Sequence, residues 1–468
     1  MAHPLLIALA LLVTMTDAYG GAPGVSPLES TVWTLVPLAG AWLVAHLVIR
    51  RCGRTLDRTG SPRALRRAES AARGLKVFLY LDAGLAFILF DWLTSVRAVV
   101  GDLIVLDETI AAAPFLITLV AGWWSFAPIE RRLIDAALFR ALDEAAPIHP
   151  PPSPAQIVLD RVRHTLLIGV VVITLVLAWS EAVALTLARL LDMGTIATAE
   201  TAELIAAGAQ LAIALPVLAA APLLIRLLWD AVPLIEGALN DRIASLARLH
   251  NVRYRRVLIW RTRGAMLNGA VVGFIAPLRY VLLTDALIER LPARQLDAVI
   301  AHEIAHVKRK HLPWLLGSTA AAAALFGVAA AILLERDGTL PPVLQSAASV
   351  SASVLGALLI FGHVSRTFER QADAFAAQTL SREAGSETIT EDAALAMSGA
   401  LTSVAKFNHI PESRFGYRHG SIAQRKRNVL RTTGRGVMRL PVDGAVTRLK
   451  LATIAGLVGA GALAAIGG

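Results

Sequence analysis

The sequence predicts a mainly α, polytopic membrane helical bundle of about eight or nine spans that carries a cytoplasmic domain with a small β-sheet. Three observations lead there. Of 468 residues, 56% are hydrophobic and only 17% are charged, whereas a soluble domain carries about 25% charged residues. The apolar residues gather into long stretches, and about 20 of them in a helix suffice to cross a hydrocarbon core. The basic surplus, a formal net charge of +10, collects in particular loops, as it does on the cytoplasmic side of membrane proteins. The charge is therefore no pointer to nucleic acid. A mean hydropathy of +0.60 excludes a disordered chain, and one cysteine, Cys52, excludes an internal disulfide framework.

The apolar stretches fall at roughly 4–18, 32–49, 75–96, 111–127, 165–189, 204–228, 312–334 and 341–363, with a weaker Gly- and Ala-rich one at 449–466. Nothing basic precedes the first apolar run, so it is expected as a retained span rather than a cleaved signal peptide. Orientation follows from the loops. After the second stretch come Arg50, Arg51, Arg54, Arg58, Arg63, Arg66, Arg67 and Arg73 against Asp57 and Glu69, while 190–203 holds Asp192, Glu200 and Glu203 and no basic residue. The first loop is thereby cytoplasmic and the second outside. Counting spans then puts 128–163, 229–311 and 364–447 on the cytoplasmic side as well.

Between 230 and 311 the pattern leaves that of membrane helix. Short runs at Arg256–Trp260, Ala270–Ile275 and Arg279–Leu283 are rich in β-branched and aromatic residues, separated by Arg, Gly and Pro, and read as strands. Pro292 opens a helix expected to run to about His311. The segment 364–440 reads as helix followed by polar loop, and Pro150, Pro151, Pro152 and Pro154 mark a stiff linker.

The chemistry lies in His302-Glu303-Ile304-Ala305-His306. Residues four apart share one helix face, so both imidazoles can address a single ion. Glu303 projects about 100° further round, where it reaches a water on that ion. Zinc lowers the pKa of such a water to about 7, and the carboxylate takes its proton. A catalytic zinc takes three protein ligands and leaves a fourth position for water. The third ligand must return to the same membrane face, and the first acid after the two spans at 312–363 is Glu369. That order nominates it over Glu383, Glu387 or Glu391. Asp373 lies one turn further on, placed to support a ligand. His311, about 140° round from His306 on a continuous helix, is a poor ligand.

His302-Glu303-x-x-His306, followed after two spans by Ser365-Arg366-x-x-Glu369-x-x-Ala372-Asp373, resembles the CAAX prenyl endopeptidases and the heat-shock membrane proteases, which are integral-membrane zinc metalloproteases. The resemblance covers roughly 230–430. It implies one Zn2+ per chain on His302, His306 and Glu369, with Glu303 as general base. It also implies that His419, in His419-Gly420-Ser421-Ile422-Ala423-Gln424-Arg425, donates to the oxyanion and that Arg425 pairs with Asp373. Gly420 stands where the family has Pro, which suggests a looser loop. Asn268, ahead of an inserted Gly269, matches a substrate-binding Asn on an edge strand, a place where extended peptides add by main-chain hydrogen bonds.

The expected organisation is a membrane region of about six spans at 1–229, the two halves of a zinc-protease domain at 230–311 and 364–447, a two-span hairpin between them at 312–363, and a C-terminal span at 448–468. The expected partners are the bilayer and membrane-protein or peptide substrates, with no nucleic acid; no oligomeric state follows from the sequence. The Ala- and Arg-rich composition points to a bacterial inner membrane with the site facing the cytoplasm. The rival reading is a non-catalytic transporter or scaffold with a structural zinc. Against it, such a site closes with a fourth ligand, typically Cys, and Cys52 is remote.

Overall fold

The computed structural model describes residues 4–19, 25–143, 149–195, 198–273, 275–337 and 341–467. The chain divides into two compact units, Met1–Trp229 and Asp230–Gly468.

The first unit is helical throughout: α1 (Pro4–Tyr19), α2 (Pro27–Thr59), α3 (Pro62–Ile88), α4 (Trp92–Val100), α5 (Leu106–Asp143), α6 (Pro154–Arg161), a π-helical turn at Val162–Leu167, α7 (Ile168–Asp192) and α8 (Ala199–Leu228). Local signals set the ends of α2. Ser26 and Glu29 form a capping box at its start, and Gly60 closes it at φ 61°, a conformation glycine adopts without penalty. The stretch expected as one span at 75–96 is instead two helices, α3 and α4, bent by 66°. Asp91 sits at the break with φ 49°, and Asp is among the few residues that tolerate the left-handed region. Beyond the bend Arg97 pairs with two buried acids, Asp107 at 2.5 Å and Glu108 at 2.8 Å, in the first turn of α5.

The second unit contains the sheet and the remaining helices. Its elements are β1 (Ala231–Pro233), α9 (Ala238–Leu249), β2 (Arg256–Trp260), β3 (Gly269–Val272), β4 (Tyr280–Thr284), α10 (Asp285–Arg290), α11 (Ala293–Lys308), α12 (His311–Asp337), α13 (Pro342–Glu383), α14 (Glu391–Phe407), α15 (Ile422–Leu430) and α16 (Asp443–Gly467). The strands run in the order β1-β2-β4-β3. The β2–β4 pair is parallel, with Leu258 opposite Leu282, and β3 lies antiparallel to β4, with Val271 opposite Val281. β3 is thus an edge strand. β1, too short for a sequence pattern, was not expected.

Among the described residues, six helices are long and apolar enough to cross a membrane, or seven if the bent α3–α4 pair is one span. The protein is a multi-pass integral membrane protein. Of the eight or nine stretches expected, those in α1 and α8 are described as the shorter apolar segments Pro4–Thr14 and Pro216–Leu228 and are not among these six or seven. The weak C-terminal stretch does qualify, as Asp443–Leu463.

The segments expected as a span at 341–363 and a separate later helix are one element. α13 has 42 residues, about 63 Å at 1.5 Å per residue, twice the thickness of a hydrocarbon core of about 30 Å. Its surface changes character along its length. Val354, Leu355, Leu358 and Leu359 are exposed, whereas from Val364 to Ser381 only Arg366 and Arg370 escape burial. The first part suits lipid, and the second belongs to a core built with Ile243 of α9, Val281 and Leu283 of β4, Ile300 and Ile304 of α11, and Met397 and Leu401 of α14. Ala301 and Ala305 of α11 and Ala372 and Ala376 of α13 are fully buried in that core, and such small side chains let helix axes approach closely.

Candidate metal centre

α11 carries the first two site residues. Pro292 occupies its N-cap, and the helix ends at Lys308 rather than running to His311, because Lys310 adopts φ 56° and turns the chain. His302 and His306 lie on one face, with Nε2 atoms 3.2 Å apart. Glu369, from the buried part of α13, brings Oε2 to 3.8 Å from His302 Nε2 and Oε1 to 3.7 Å from His306 Nε2. The three residues form a group that could hold one metal ion. Ligands about 2.0–2.1 Å from a tetrahedral zinc stand about 3.4 Å apart, so the donor set and its spacing fit that ion.

The surroundings orient each ligand. His302 Nδ1 lies 3.0 Å from Asp373 Oδ1, which leaves Nε2 for the ion. Arg425 grips Asp373 through Nε at 2.8 Å and Nη2 at 2.6 Å, and its Nη1 also stands 3.1 Å from Glu369 Oε2. The expected Arg425–Asp373 pair is therefore present, and Arg425 in addition braces Glu369. Glu303 accepts a hydrogen bond from the Val271 amide on β3 at 3.2 Å. His419 Nδ1 is 3.2 Å from Glu369 Oε1 and its side chain is half exposed.

Burial and charge set the protonation states. Burial, reinforced by the charge of Glu369, pushes the Glu303 carboxyl up to about 7, against His302 and the Val271 amide. Burial, with His302 beside it, pushes His306 down to about 3. Burial alone would lower His302 too, but Asp373, Glu369 and Glu303 together hold it above the ordinary range. A carboxylate poised near neutrality suits general acid–base work, and the neutral imidazole of His306 suits metal ligation.

The loop that carries His419 is tighter than the replacement of Pro by Gly420 suggests. Gly416 and Gly420 form an isolated bridge, with hydrogen bonds of 3.1 and 2.8 Å between their main chains. Gly420 donates one of them at φ 72°; Pro has neither the N–H nor access to that φ. Tyr417 stacks on Phe361 and donates to the Leu358 carbonyl on α13. Gly362 leaves room for that ring, since a Cβ there would come within 2.6 Å of Tyr417. Ser421 then caps α15 by accepting from the Gln424 amide, which puts Arg425 in the first turn.

Asn268 precedes β3 and its side chain is exposed. Its main chain is tied to Thr284, whose Oγ1 accepts from the Asn268 amide at 3.0 Å and donates to its carbonyl at 3.1 Å. The inserted Gly269 has a steric reason: a Cβ there would stand 3.2 Å from Val299 of α11. The sequence reading set His311 aside as a poor ligand and did not reach Gln371. His311 Nδ1 is 3.0 Å from His306 Nδ1, and its Nε2 is 2.8 Å from Gln371 Oε1. The only signal was a third histidine soon after the motif, and its usefulness depends on the break at Lys310.

Residues 233–429 match the profile of Peptidase family M48, which bears out the resemblance drawn from the motifs. No curated protein matches the chain. Among solved structures, Ste24p of S. mikatae is similar, with 16% identity and a TM-score of 0.45, over 85% of this chain and 98% of that one.

Proposed function

Residues 233–429 being a peptidase family M48 domain, we propose that this zinc-dependent membrane endopeptidase cleaves peptide bonds of membrane-associated proteins at the cytoplasmic face of a bacterial inner membrane. The reading rests above all on the convergence of His302, His306 and Glu369 on one point. A zinc ion held there would polarise the scissile carbonyl and make a bound water acidic enough to be deprotonated near pH 7. Glu303, held by the Val271 amide, takes the proton from the attacking water and passes it to the leaving amine. His419 donates to the oxygen on which negative charge develops. Arg425 keeps Glu369 and Asp373 charged and in place. The substrate adds as an extended strand along β3, beside Asn268, with main-chain hydrogen bonds supplying affinity. The basic residues near the site itself, Lys308, Arg309 and Lys310 after α11 and Arg414, Arg418, Lys426 and Arg427 beyond α13, support the cytoplasmic orientation. Damaged or surplus membrane proteins are the substrate class we favour over prenylated peptides.

Purified protein is expected to contain about one zinc per chain, absent in His302→Ala. Glu303→Gln is expected to keep the zinc while cleavage of a membrane-protein substrate falls by at least about 100-fold. Wild-type cleavage by Glu303→Gln would overturn the mechanism. The proteins that accumulate around that variant in membranes would distinguish the two substrate classes.

A further inference from the structure

We infer that His311 is a positioning residue for His306, and that a chain of hydrogen bonds through Gln371 to Asp443 holds His306 in the tautomer that presents Nε2 to the ion. The inference rests on the zinc site proposed above and adds side chains outside its ligand set.

The backbone makes the contact possible. On an uninterrupted helix His311 would point about 140° away from His306. Instead α11 ends at Lys308, Lys310 takes φ 56° and α12 starts at His311, which folds the third imidazole back onto the second. His311 is 3% exposed. Its ring lies parallel to Phe368, 4.4 Å between centroids and 3° between planes, so it has little freedom to rotate.

The direction of the chain follows from donor and acceptor chemistry. The Asp443 carboxylate can only accept, and Gln371 Nε2 donates to its Oδ1 at 2.6 Å. Flipping the amide would set an oxygen against that carboxylate, so Gln371 Oε1 must face His311, 2.8 Å from its Nε2. That oxygen only accepts, hence His311 carries its proton on Nε2 and, being neutral, has a bare Nδ1. The bare nitrogen is 3.0 Å from His306 Nδ1 and accepts a hydrogen bond from its N–H. Neutral His306 is left with a bare Nε2, the atom facing His302 and Glu369. Asp443 anchors the sequence: its other oxygen accepts from the Leu440 amide at 3.1 Å, and it opens α16, where a negative charge is favoured. Partners of this kind orient a metal-bound imidazole and raise its basicity, and losing them typically costs 10–100-fold in metal affinity.

The test uses the full-length protein in detergent, with zinc affinity read by competition against a chromophoric chelator and ligand geometry read from the visible spectrum of the Co2+-loaded protein. His311→Phe keeps a flat ring against Phe368 and removes both nitrogens. It is expected to weaken zinc binding about 10–100-fold and to shift the cobalt bands. His311→Gln, whose amide can accept on one side and donate on the other, is expected to recover much of the loss, which a packing role would not predict. Affinity within twofold of wild type and an unchanged spectrum in His311→Phe would overturn the inference. Should that variant not fold, Gln371→Leu carries the test, with at least a several-fold loss expected and wild-type affinity overturning. A wild-type protein that binds no zinc would instead remove the underlying site, so the two failures are distinguishable.

Discussion

Two arginines of the second unit each bridge a pair of acids, in very different surroundings. Arg425, its side chain 10% exposed, holds Asp373 and Glu369, the acid of the group that could hold a metal ion. Arg242 of α9, 31% exposed, holds Asp297 of α11 at 2.9 Å and Glu383 at the end of α13. Both connect the same helical framework by the same chemistry. What separates them is water. The charges around Arg425 have no solvent to fall back on, so each depends on the others. Those around Arg242 can be rehydrated if the bridge breaks, and a solvent-exposed ion pair contributes little. A similar bridge is thus obligatory in one place and auxiliary in the other.

The comparison would be broken most directly at Arg425. Arg425→Ala leaves two buried carboxylates without their cation and is expected to destabilise the second unit by about 3–5 kcal/mol, measured by denaturant unfolding. Arg425→Lys should recover only part of it, because an ammonium cannot reproduce the bidentate grip. Stability equal to wild type in Arg425→Ala would mean that this site is as wet as the one at Arg242.

A second expectation concerns His250, which is buried, 7% exposed. It lies 3.0 Å from Thr379 Oγ1 and against the Phe375 ring. Burial, with Arg382, Lys308 and Arg309 nearby, lowers it to about 4. The unfolded chain takes up the proton near pH 6.5, and the folded one resists until about 4. Its contribution is therefore present above pH 6.5 and lost as the pH falls to about 4, some 2–3 kcal/mol in all. The stability difference between wild type and His250→Asn should shrink by about that amount between pH 7 and pH 4; a constant difference would count against it.

Gly420→Pro removes a main-chain donor and a left-handed backbone and is expected to lower kcat about 10-fold or more, at a cost near 1–3 kcal/mol, with zinc content unchanged. The smallest effect is expected at the exposed bridge. Arg242→Ala should cost about 1 kcal/mol or less, diminish further at high salt and leave cleavage within a few-fold of wild type.

Much of the framework was legible because membrane solvent imposes long uniform patterns. A bilayer demands runs of apolar residues whatever the neighbours are, and the apolar runs inside α2, α5, α7, α12 and α13 stand out for that reason. The break at Asp91 was not legible, since a span and a bent pair have the same composition. The extension of α13 past its apolar part was equally hidden, because residues 364–381 are mostly polar or small in sequence and acquire their meaning only from the core they enter. At the metal centre, His302 and His306 could be paired by helical period alone. Glu369 needed a topological argument, and the second contact of Arg425 needed coordinates. The tight Gly416–Gly420 bridge reversed the expectation that a missing Pro loosens the loop.

The amino-acid order by itself determined that the chain crosses a membrane several times and that two histidines share one helix face with a carboxylate between them. Both are consequences of local periodicity and of transfer from water to lipid, which act on neighbouring residues only. Tertiary structure decided how closely Glu369 approaches the two histidines, that Arg425 braces it and which face a third imidazole turns toward the group. Those outcomes depend on a left-handed residue at Lys310, on buried alanines between helices and on a helix about 63 Å long that carries its acid out of the apolar layer. None of these leaves a periodic trace along the chain.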